Sequence, residues 1–282
     1  MNNPPISTKY QIYVNHPNFK VNYFEKINTK EKAYWLGFLF ADGYFEQMEG
    51  KKLRIGVEIS LWDRILFEKF ALAIGFNPAK FEQRTRTLIY KCKKRKFEHI
   101  TMRFISSKMA KDLRKHGLKE LKSKKLEFPN FKNQELDLAF LLGFYDGEGW
   151  EGTIKFSCGS KTFVEQVKRK YQLPYIIWKT KSGVWGISLG SKLFNEMMYN
   201  YKDSLPRKRK IFEMRRYKVK HKFKTLISKE KLRKLVWEMP ITEIAEKYRV
   251  WHHDITDLCE EWEIERPPQG YWNQRSFLNN KE

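Results

Sequence analysis

The sequence predicts an α+β protein with two similar, pseudo-symmetric halves and a small all-α module at its C-terminus. One apolar motif occurs twice, about a hundred residues apart, and strand-like and helix-like periodicities alternate after each copy. The composition then changes near Ser228 from strongly basic to slightly acidic, which predicts the module. The predicted division is an N-terminal arm at 1–28, half-domains at 29–128 and 136–225, a linker at 129–135 and the module at 226–282.

The first motif copy reads Ala-Tyr-Trp-Leu-Gly-Phe-Leu-Phe-Ala-Asp-Gly at 33–43, and the second reads Ala-Phe-Leu-Leu-Gly-Phe-Tyr-Asp-Gly-Glu-Gly at 139–149. The small residues one helical turn apart are Gly37 with Ala41 and Gly143 with Gly147. Such pairs lie on one helix face, so we expect the two helices to pack with their backbones in close contact. Asp42 and Glu148 would then lie side by side, each before a glycine expected to end its helix in the left-handed conformation. Paired carboxylates of this kind bind divalent metal ions.

Periodicity predicts the order α-β-β-α-β-β-α for the first half. After the motif helix, the clearest elements are a strand at 53–60, a helix at 63–75, strands near 81–90 and 99–105 joined by a basic hairpin, and a helix near 108–116. The second half repeats the order more compactly, with helices at 137–148, 161–171 and 191–201 and strands near 153–157, 176–180 and 184–189. Two such halves in one chain predict a monomer with two similar but unlike surfaces.

The net charge of the chain indicates the class of its binding partner. The chain has 56 Lys/Arg and 33 Asp/Glu, a formal net charge of +23, and residues 226–282 contribute 9 and 11 of these, so the remainder carries +25. A domain with that excess repels itself unless a polyanion neutralises it, which makes nucleic acid the leading expected partner. A membrane surface is disfavoured because the basic residues are scattered through strand-like segments and not along an amphipathic helix.

Targeting and cysteine patterns predict an intracellular protein. No apolar run approaches the ~20 residues that span a bilayer, and the N-terminus lacks the apolar core of a signal peptide. Cys92, Cys158 and Cys259 are widely spaced without a Cys-x-x-Cys pair, which disfavours a zinc site or a disulfide framework. The sequence leaves the compartment and the host open.

The alternating strands are expected to pack one face on the helices and to display a basic face. The residues expected on that face are Arg54, Glu58, Arg84, Arg86, Lys91, Lys93 and Arg95 in the first half and Lys155, Lys179 and Lys181 in the second. A two-stranded ribbon fits the major groove of DNA, where Arg and Lys read guanine. The alternative is that these charges form a solvated face.

The duplicated motif in a strongly basic chain resembles the LAGLIDADG homing endonucleases, in the single-chain form with two motif copies. The resemblance covers roughly residues 10–225. It implies αββαββα half-domains with saddle-shaped antiparallel sheets, and it implies that Asp42 and Glu148 are the metal ligands. Phe40 departs from the motif, whereas Asp146 keeps the first acid in the second copy; the family uses that position mainly for local structure, so Asp146 is not assigned to the metal.

The resemblance also implies a lysine for each active site, in the segments 121–129 and 205–212. By position these are Lys122 and Lys208, whose alternative role is contact with the phosphate backbone. The implied cofactor is Mg²⁺, two or three ions between the scissile phosphates, with Mn²⁺ substituting and Ca²⁺ supporting binding without cleavage. Cutting across the minor groove would leave short 3′ overhangs.

The C-terminal module has helix-turn-helix spacing, with helices expected at 241–248 and 252–262. The second helix carries Asp254, Asp257, Glu260 and Glu261 and no Lys or Arg. Four carboxylates near phosphates would reduce affinity, so both DNA reading and a packing or protein-contact role stay open. In the latter case the basic first helix, with Lys229, Lys231, Arg233 and Lys234, would touch phosphates.

The sequence therefore predicts a monomeric, metal-dependent endonuclease that breaks both strands of DNA at a long, non-palindromic target. No small-molecule cofactor is expected. One alternative is an RNA-binding intron maturase of the same fold, for which intron RNA is the partner. A DNA-binding regulator with a degenerate nuclease core is the other. The sequence has no intein splice junction, which favours a free-standing or intron-encoded enzyme.

Overall fold

The fold is described from a computed structural model covering residues 16–48, 53–90, 93–119, 125–248 and 250–272. The chain divides into two compact units, Met1–Arg209 and Lys210–Glu282. Both motif copies fall in the first unit, and the helix-turn-helix segment falls in the second.

The first half has the predicted αββαββα order. Its elements are α1 (Lys30–Asp42), β1 (Gly43–Gln47), β2 (Leu53–Ser60), α2 (Arg64–Ile74), β3 (Glu82–Tyr90), β4 (Lys93–Ile105) and α3 (Ser107–Lys115). The strands form an antiparallel sheet in the order β1-β2-β4-β3. The β4 strand begins at Lys93, so most of the predicted basic hairpin is strand and the β3–β4 ribbon is longer than expected.

The second half follows the same order in shortened form. Its elements are α4 (Gln134–Glu148), β5 (Lys155–Cys158), α5 (Lys161–Lys170), β6 (Trp178–Lys179), β7 (Trp185–Ser188) and α6 (Gly190–Asn200), with an antiparallel sheet in the order β5-β7-β6. The strand equivalent to β1 is reduced to one bridge between Gly149 and Phe156. A tight turn, in which Gly152 has a φ of 70°, returns the chain before a full strand can form.

The core of the first unit lies between the sheets and the motif helices. Leu53, Ile55, Val57 and Ile59 alternate along β2 and are buried on the helix side. Every residue of α1 from Ala33 to Ala41 is buried, because this helix packs against α4 as well as the rest of its own half. A motif with no polar face is therefore explained by burial on all sides.

The second unit is helical. It contains most of α7 (Pro206–Leu226), which begins in the first unit, and then α8 (Lys229–Glu238), α9 (Ile241–Tyr248) and α10 (His252–Glu261). Its core includes Phe223, Leu232, Val236, Ile244 and Leu258. The helices α9 and α10 occupy the segments predicted as a helix-turn-helix; the 21-residue α7 was not predicted.

Among the described residues, no helix combines the length and the apolar character needed to cross a membrane.

Candidate functional site

The two motif helices meet through their glycines. A Cβ on Gly37 would overlap the carbonyl oxygen of Phe140, and a Cβ on Gly143 would overlap the carbonyl oxygen of Tyr34. The same offset along the chain relates the two glycines and the two carbonyls, so this contact is locally two-fold symmetric. Any larger side chain at either position would push the helix backbones apart.

Asp42 and Glu148 are the last residues of α1 and α4. The following glycines were expected to be left-handed, which is wrong: Gly43 has a φ of −74° and Gly149 a φ of −73°, and the chain leaves each helix in the extended conformation. Space explains the glycines instead, since a Cβ on Gly43 would lie 2.6 Å from the carbonyl oxygen of Leu39. The chain therefore turns directly from each helix end into the segment leading to its sheet.

Gly147 brings the end of α4 to Asp42. A Cβ at this position would overlap the Cβ of Ala41 and lie 2.6 Å from Oδ2 of Asp42. Asp42 is half-buried and Glu148 is exposed. The close contact of the helices thus continues to the residues that precede the two carboxylates.

Asp42 lines a cavity of about 150 Å³. Its other polar lining residues are Ser60, Asp63, Asp146 and Arg207, and its apolar ones are Phe38, Ile59, Leu66 and Leu205. Arg207 donates to both carboxylate oxygens of Asp63, at 2.9 and 3.2 Å. The sequence reading missed Arg207 and Asp63, which are far apart along the chain. A cation and two further carboxylates, those of Asp63 and Asp146, therefore line the cavity of Asp42.

Asp146 ties α4 to its surroundings. Its Oδ2 accepts hydrogen bonds from the Tyr34 hydroxyl at 2.6 Å and the Leu205 backbone N–H at 2.8 Å. Its Oδ1 is buried and has no hydrogen-bond partner in the described part of the chain. Burial raises the pKa of the Asp146 carboxyl, and the positive charge of Lys208 opposes this shift. The first half has Phe40 at the equivalent position, so it lacks this polar tie.

Lys208 supports the end of α4 from within. Its Nζ donates to the carbonyl oxygens of Tyr145, Asp146 and Gly149 at 2.6, 2.8 and 2.9 Å, and the residue is 3% exposed. These bonds use all three protons of the ammonium group. Burial lowers its pKa to about 8, partly opposed by Asp146. The family resemblance implies an active-site role for this lysine, which stays a prediction; in this arrangement it caps the helix that carries Glu148. Lys122 lies outside the described residues.

The helix-end carboxylates of Asp42 and Glu148 are the candidate ligands for a metal ion. In the described ranges, no cluster of three or more His, Cys, Asp or Glu side chains could hold a metal ion. Mg²⁺ is commonly bound by one or two carboxylates together with waters and substrate phosphates. Both acids also stand at helix C-termini, where the backbone dipole favours a cation. The absence of a larger acidic cluster is therefore compatible with Asp42 and Glu148 as the protein ligands.

The first sheet displays a face of ion pairs. Register places Arg54, Glu58, Arg84 and Arg86 on the face opposite the core. The pairs are Arg86 with Glu58 (2.7 Å), Arg84 with Glu82 (2.9 Å), Arg54 with Glu46 (3.5 Å) and Arg103 with Glu82 (2.8 Å). Glu58 is thus a counter-ion of Arg86 here. Lys91 lies outside the described residues, as do the side chains of Lys93 and Arg95.

The second sheet separates residues that were expected on one face. Lys155 is in register with Ser188, whereas Lys179 is in register with Trp185, and these two positions of β7 point to opposite faces. The expected common face for Lys155 and Lys179 is therefore wrong. Lys181 follows β6 in an exposed turn. On the face of Lys155, its Nζ lies 5.6 Å from the ring centre of Trp178, an aromatic residue that the sequence reading missed.

No protein-family model matches this sequence, and no curated protein matches it. One similar solved structure is the homing endonuclease I-WcaI bound to its DNA recognition sequence, at 14% identity and a TM-score of 0.45, covering 74% of this chain and 94% of that chain. Another is full-length DUF199/WhiA from Thermatoga maritima, at 12% identity and a TM-score of 0.34, covering 87% and 96%. Both are distant structural similarities.

Proposed function

We propose that this protein is a metal-dependent DNA endonuclease that breaks both strands at a long, non-palindromic target. The observation that carries the proposal is the contact of α1 and α4, in which Gly37, Gly143 and Gly147 bring together two helices that both end in a carboxylate. Helices packed through their backbones have little freedom, so the two acids are held at fixed positions. A purely structural helix pair does not need a carboxylate at each end.

In the proposed mechanism, Asp42 and Glu148 would hold Mg²⁺. When bound, Mg²⁺ supplies Lewis-acid activation of the phosphodiester and of the attacking water. The chain contributes the position of both acids through the helix contact, and Lys208 fixes the last turn before Glu148 through its three carbonyl contacts. Arg207, in the cavity of Asp42, also lies 3.6 Å from the exposed carboxylate of Glu151, which it can exchange for a phosphate oxygen while it stays bound to Asp63.

The two sheet faces support a DNA partner. On the first, Arg54, Arg84 and Arg86 are held by carboxylates. The Arg84–Glu82 pair is exposed on both sides and worth ~0–1 kcal/mol, whereas Glu58 of the Arg86 pair is mostly buried. Exchange of Glu82 for a phosphate therefore costs little, and the ion pairs already position all three arginines. The second face is smaller and differs in composition, with Lys155 beside Trp178. Two unlike faces favour two unlike half-sites, and so a target without two-fold symmetry.

The test is cleavage of a complex duplex DNA library by the purified protein, in Mg²⁺ and in Ca²⁺, with the new ends sequenced. Recurrent ends with short 3′ overhangs are expected in Mg²⁺ only. They are expected to disappear in Asp42→Asn and Glu148→Gln, with a fall in rate of ~10³-fold or more, equivalent to ~4 kcal/mol. The matched control is Asp203→Asn, an exposed acid paired with Lys69, which should cut normally.

Other outcomes would point to the alternatives. Salt-sensitive binding of DNA without Mg²⁺-dependent ends would favour a DNA-binding regulator, and preferential binding of structured intron RNA would favour a maturase. Absence of Mg²⁺-dependent ends in either case would reject the nuclease and leave Asp42 and Glu148 without a catalytic role.

A further inference from the structure

The acidic helix of the C-terminal unit is neutralised by the unit's own cations. The ion pairs are Arg216 with Asp254 (3.0 Å) and Asp257 (2.6 Å), Lys220 with Glu261 (2.8 Å), Lys224 with Glu261, and Arg266 with Glu260 (3.2 Å). Three of these cations lie on successive turns of α7. All four carboxylates that α10 carries between His252 and Glu261 are therefore engaged within the unit.

This arrangement makes α10 a poor surface for phosphates. Asp254 is 2% exposed and also accepts a hydrogen bond from the Trp251 backbone N–H, so it stabilises the start of the helix. Release of Arg216 to a phosphate would leave this buried carboxylate without its ion-pair partner, which is costly. The exposed acids on α10, Glu260 and Glu261, would meet the DNA backbone with like charge. The helix α10 therefore has the position of a DNA-recognition helix but not the positive charge expected of one.

The helix α8 is basic, with four cations and two acids, Glu230 and Glu238. Lys231, Arg233 and Lys234 are exposed on it and Lys229 is half-buried, and none of the four forms an ion pair within the described ranges. Trp237, one turn beyond Arg233, is 38% exposed and packs edge-on against Tyr271, with ring centres 5.7 Å apart. Cations next to an accessible aromatic pair are typical of surfaces that bind nucleic acid.

We propose that the C-terminal unit binds the phosphate backbone of double-stranded DNA through α8, with Trp237 and Tyr271 against the sugar-phosphate edge, and that α10 does not read bases. Lys229 and Arg233 are one turn apart, ~6 Å along the helix. That distance spans about two phosphates of one strand at ~3.4 Å each along the duplex axis. The role is extra, sequence-independent affinity. It rests on the proposed DNA partner but not on cleavage.

Binding of the full chain to duplex DNA, measured by fluorescence anisotropy over a range of KCl without Mg²⁺, tests this surface. The test variant carries Lys229→Gln, Lys231→Gln, Arg233→Gln and Lys234→Gln. The control carries Lys111→Gln, Lys115→Gln, Lys192→Gln and Lys202→Gln, an equal loss of charge at exposed lysines of the first unit. All eight positions are at the surface or half-buried, so thermal unfolding of both variants should match the wild type.

The α8 variant is expected to bind at least ~10-fold more weakly at low salt, and its salt slope should fall by ~2–4, since each phosphate contact contributes ~0.9. The control should retain the wild-type slope. Equal slopes in the two variants would overturn the proposal, because the effect would then be one of net charge alone. An α8-dependent slope seen with structured RNA and not with duplex DNA would also overturn it.

A second binding experiment tests α10 with the double variant Glu260→Gln and Thr256→Ala. The two residues lie one turn apart on the helix. Unchanged DNA affinity and unchanged sequence preference are expected. A change in which sequences are bound would show that α10 reads bases and would contradict the proposal. Both experiments measure DNA binding and not cleavage. Their results can therefore be interpreted even if the protein is not a nuclease.

Discussion

The two helix ends share a backbone arrangement but not the side chains that support it. At the end of α1, Asp42 is half-buried and lines a cavity with Asp63 and Arg207, which Asp146 of α4 also reaches. At the end of α4, Glu148 is exposed, and the last turn is held from inside by Lys208 and Asp146. Close glycine contacts thus fix a symmetric pair of helices, while each carboxylate has its own environment. Two such acids need not act at the same rate.

The symmetric contact between α1 and α4 can be disrupted by substitution of its glycines. Gly37→Val and Gly143→Val should each destabilise the protein by ~3 kcal/mol or more, because the new side chain overlaps a backbone carbonyl that cannot move alone. The two losses should be equal within ~1 kcal/mol, as measured by urea unfolding. Gly152→Asn is the control: its site is open and Asn tolerates a φ of 70°. Clearly unequal losses at 37 and 143 would show that the helix contact is not symmetric.

The support that differs between the two helix ends depends most on Lys208, which contacts the end of α4. Lys208→Met leaves the buried carbonyls of Tyr145, Asp146 and Gly149 without their donor, and should cost ~2–4 kcal/mol. Cleavage should slow most on the strand whose cutting is also slowed most by Glu148→Gln. Lys210→Met, at an exposed position nearby, is the control and should stay within ~0.5 kcal/mol of the wild type. Full stability of Lys208→Met would contradict the capping role.

Asp146 should make the stability of the protein depend on pH. Because burial raises its pKa above the usual 3.8, the folded state binds this proton more tightly than the unfolded state. Its contribution to the free energy of unfolding is therefore largest in acid and falls as pH rises from about 4 through the folded pKa. Asp146→Asn lacks this term, so it should gain stability relative to the wild type over that range, by urea unfolding at several pH values. A relative loss on raising the pH would reverse the assigned shift.

Much of this architecture follows from the sequence because its signals are local. Strand alternation and helix periodicity predict the element order of the first half, and the duplicated motif predicts which glycines are paired. The long α7 escaped prediction, since 206–226 is dominated by Lys and Arg and its apolar residues are sparse. Glycine was correctly expected after each helix, but not for the right reason. Gly43 and Gly149 are needed because a side chain would collide with the preceding helical turn.

The contacts that distinguish the two sites were beyond sequence reasoning. Arg207 meets Asp63 across 144 positions, and the carboxylate of Asp146 meets Tyr34 across 112. Such pairs depend on how layers pack, and no periodicity encodes them. The face of Lys179 depends on strand register, which a one-residue shift reverses. The family resemblance implies Lys208 as a site residue, but its three carbonyl partners appear only in the folded protein.

The central claim is that Asp42 and Glu148 form one nuclease with two non-equivalent sites. The most direct measurement is single-turnover cleavage of a target duplex in Mg²⁺, with each strand labelled separately, for the wild type, Asp42→Asn and Glu148→Gln. We predict unequal rates for the two strands in the wild type and loss of double-strand ends in both variants. Double-strand cleavage at the wild-type rate in either variant would contradict the account.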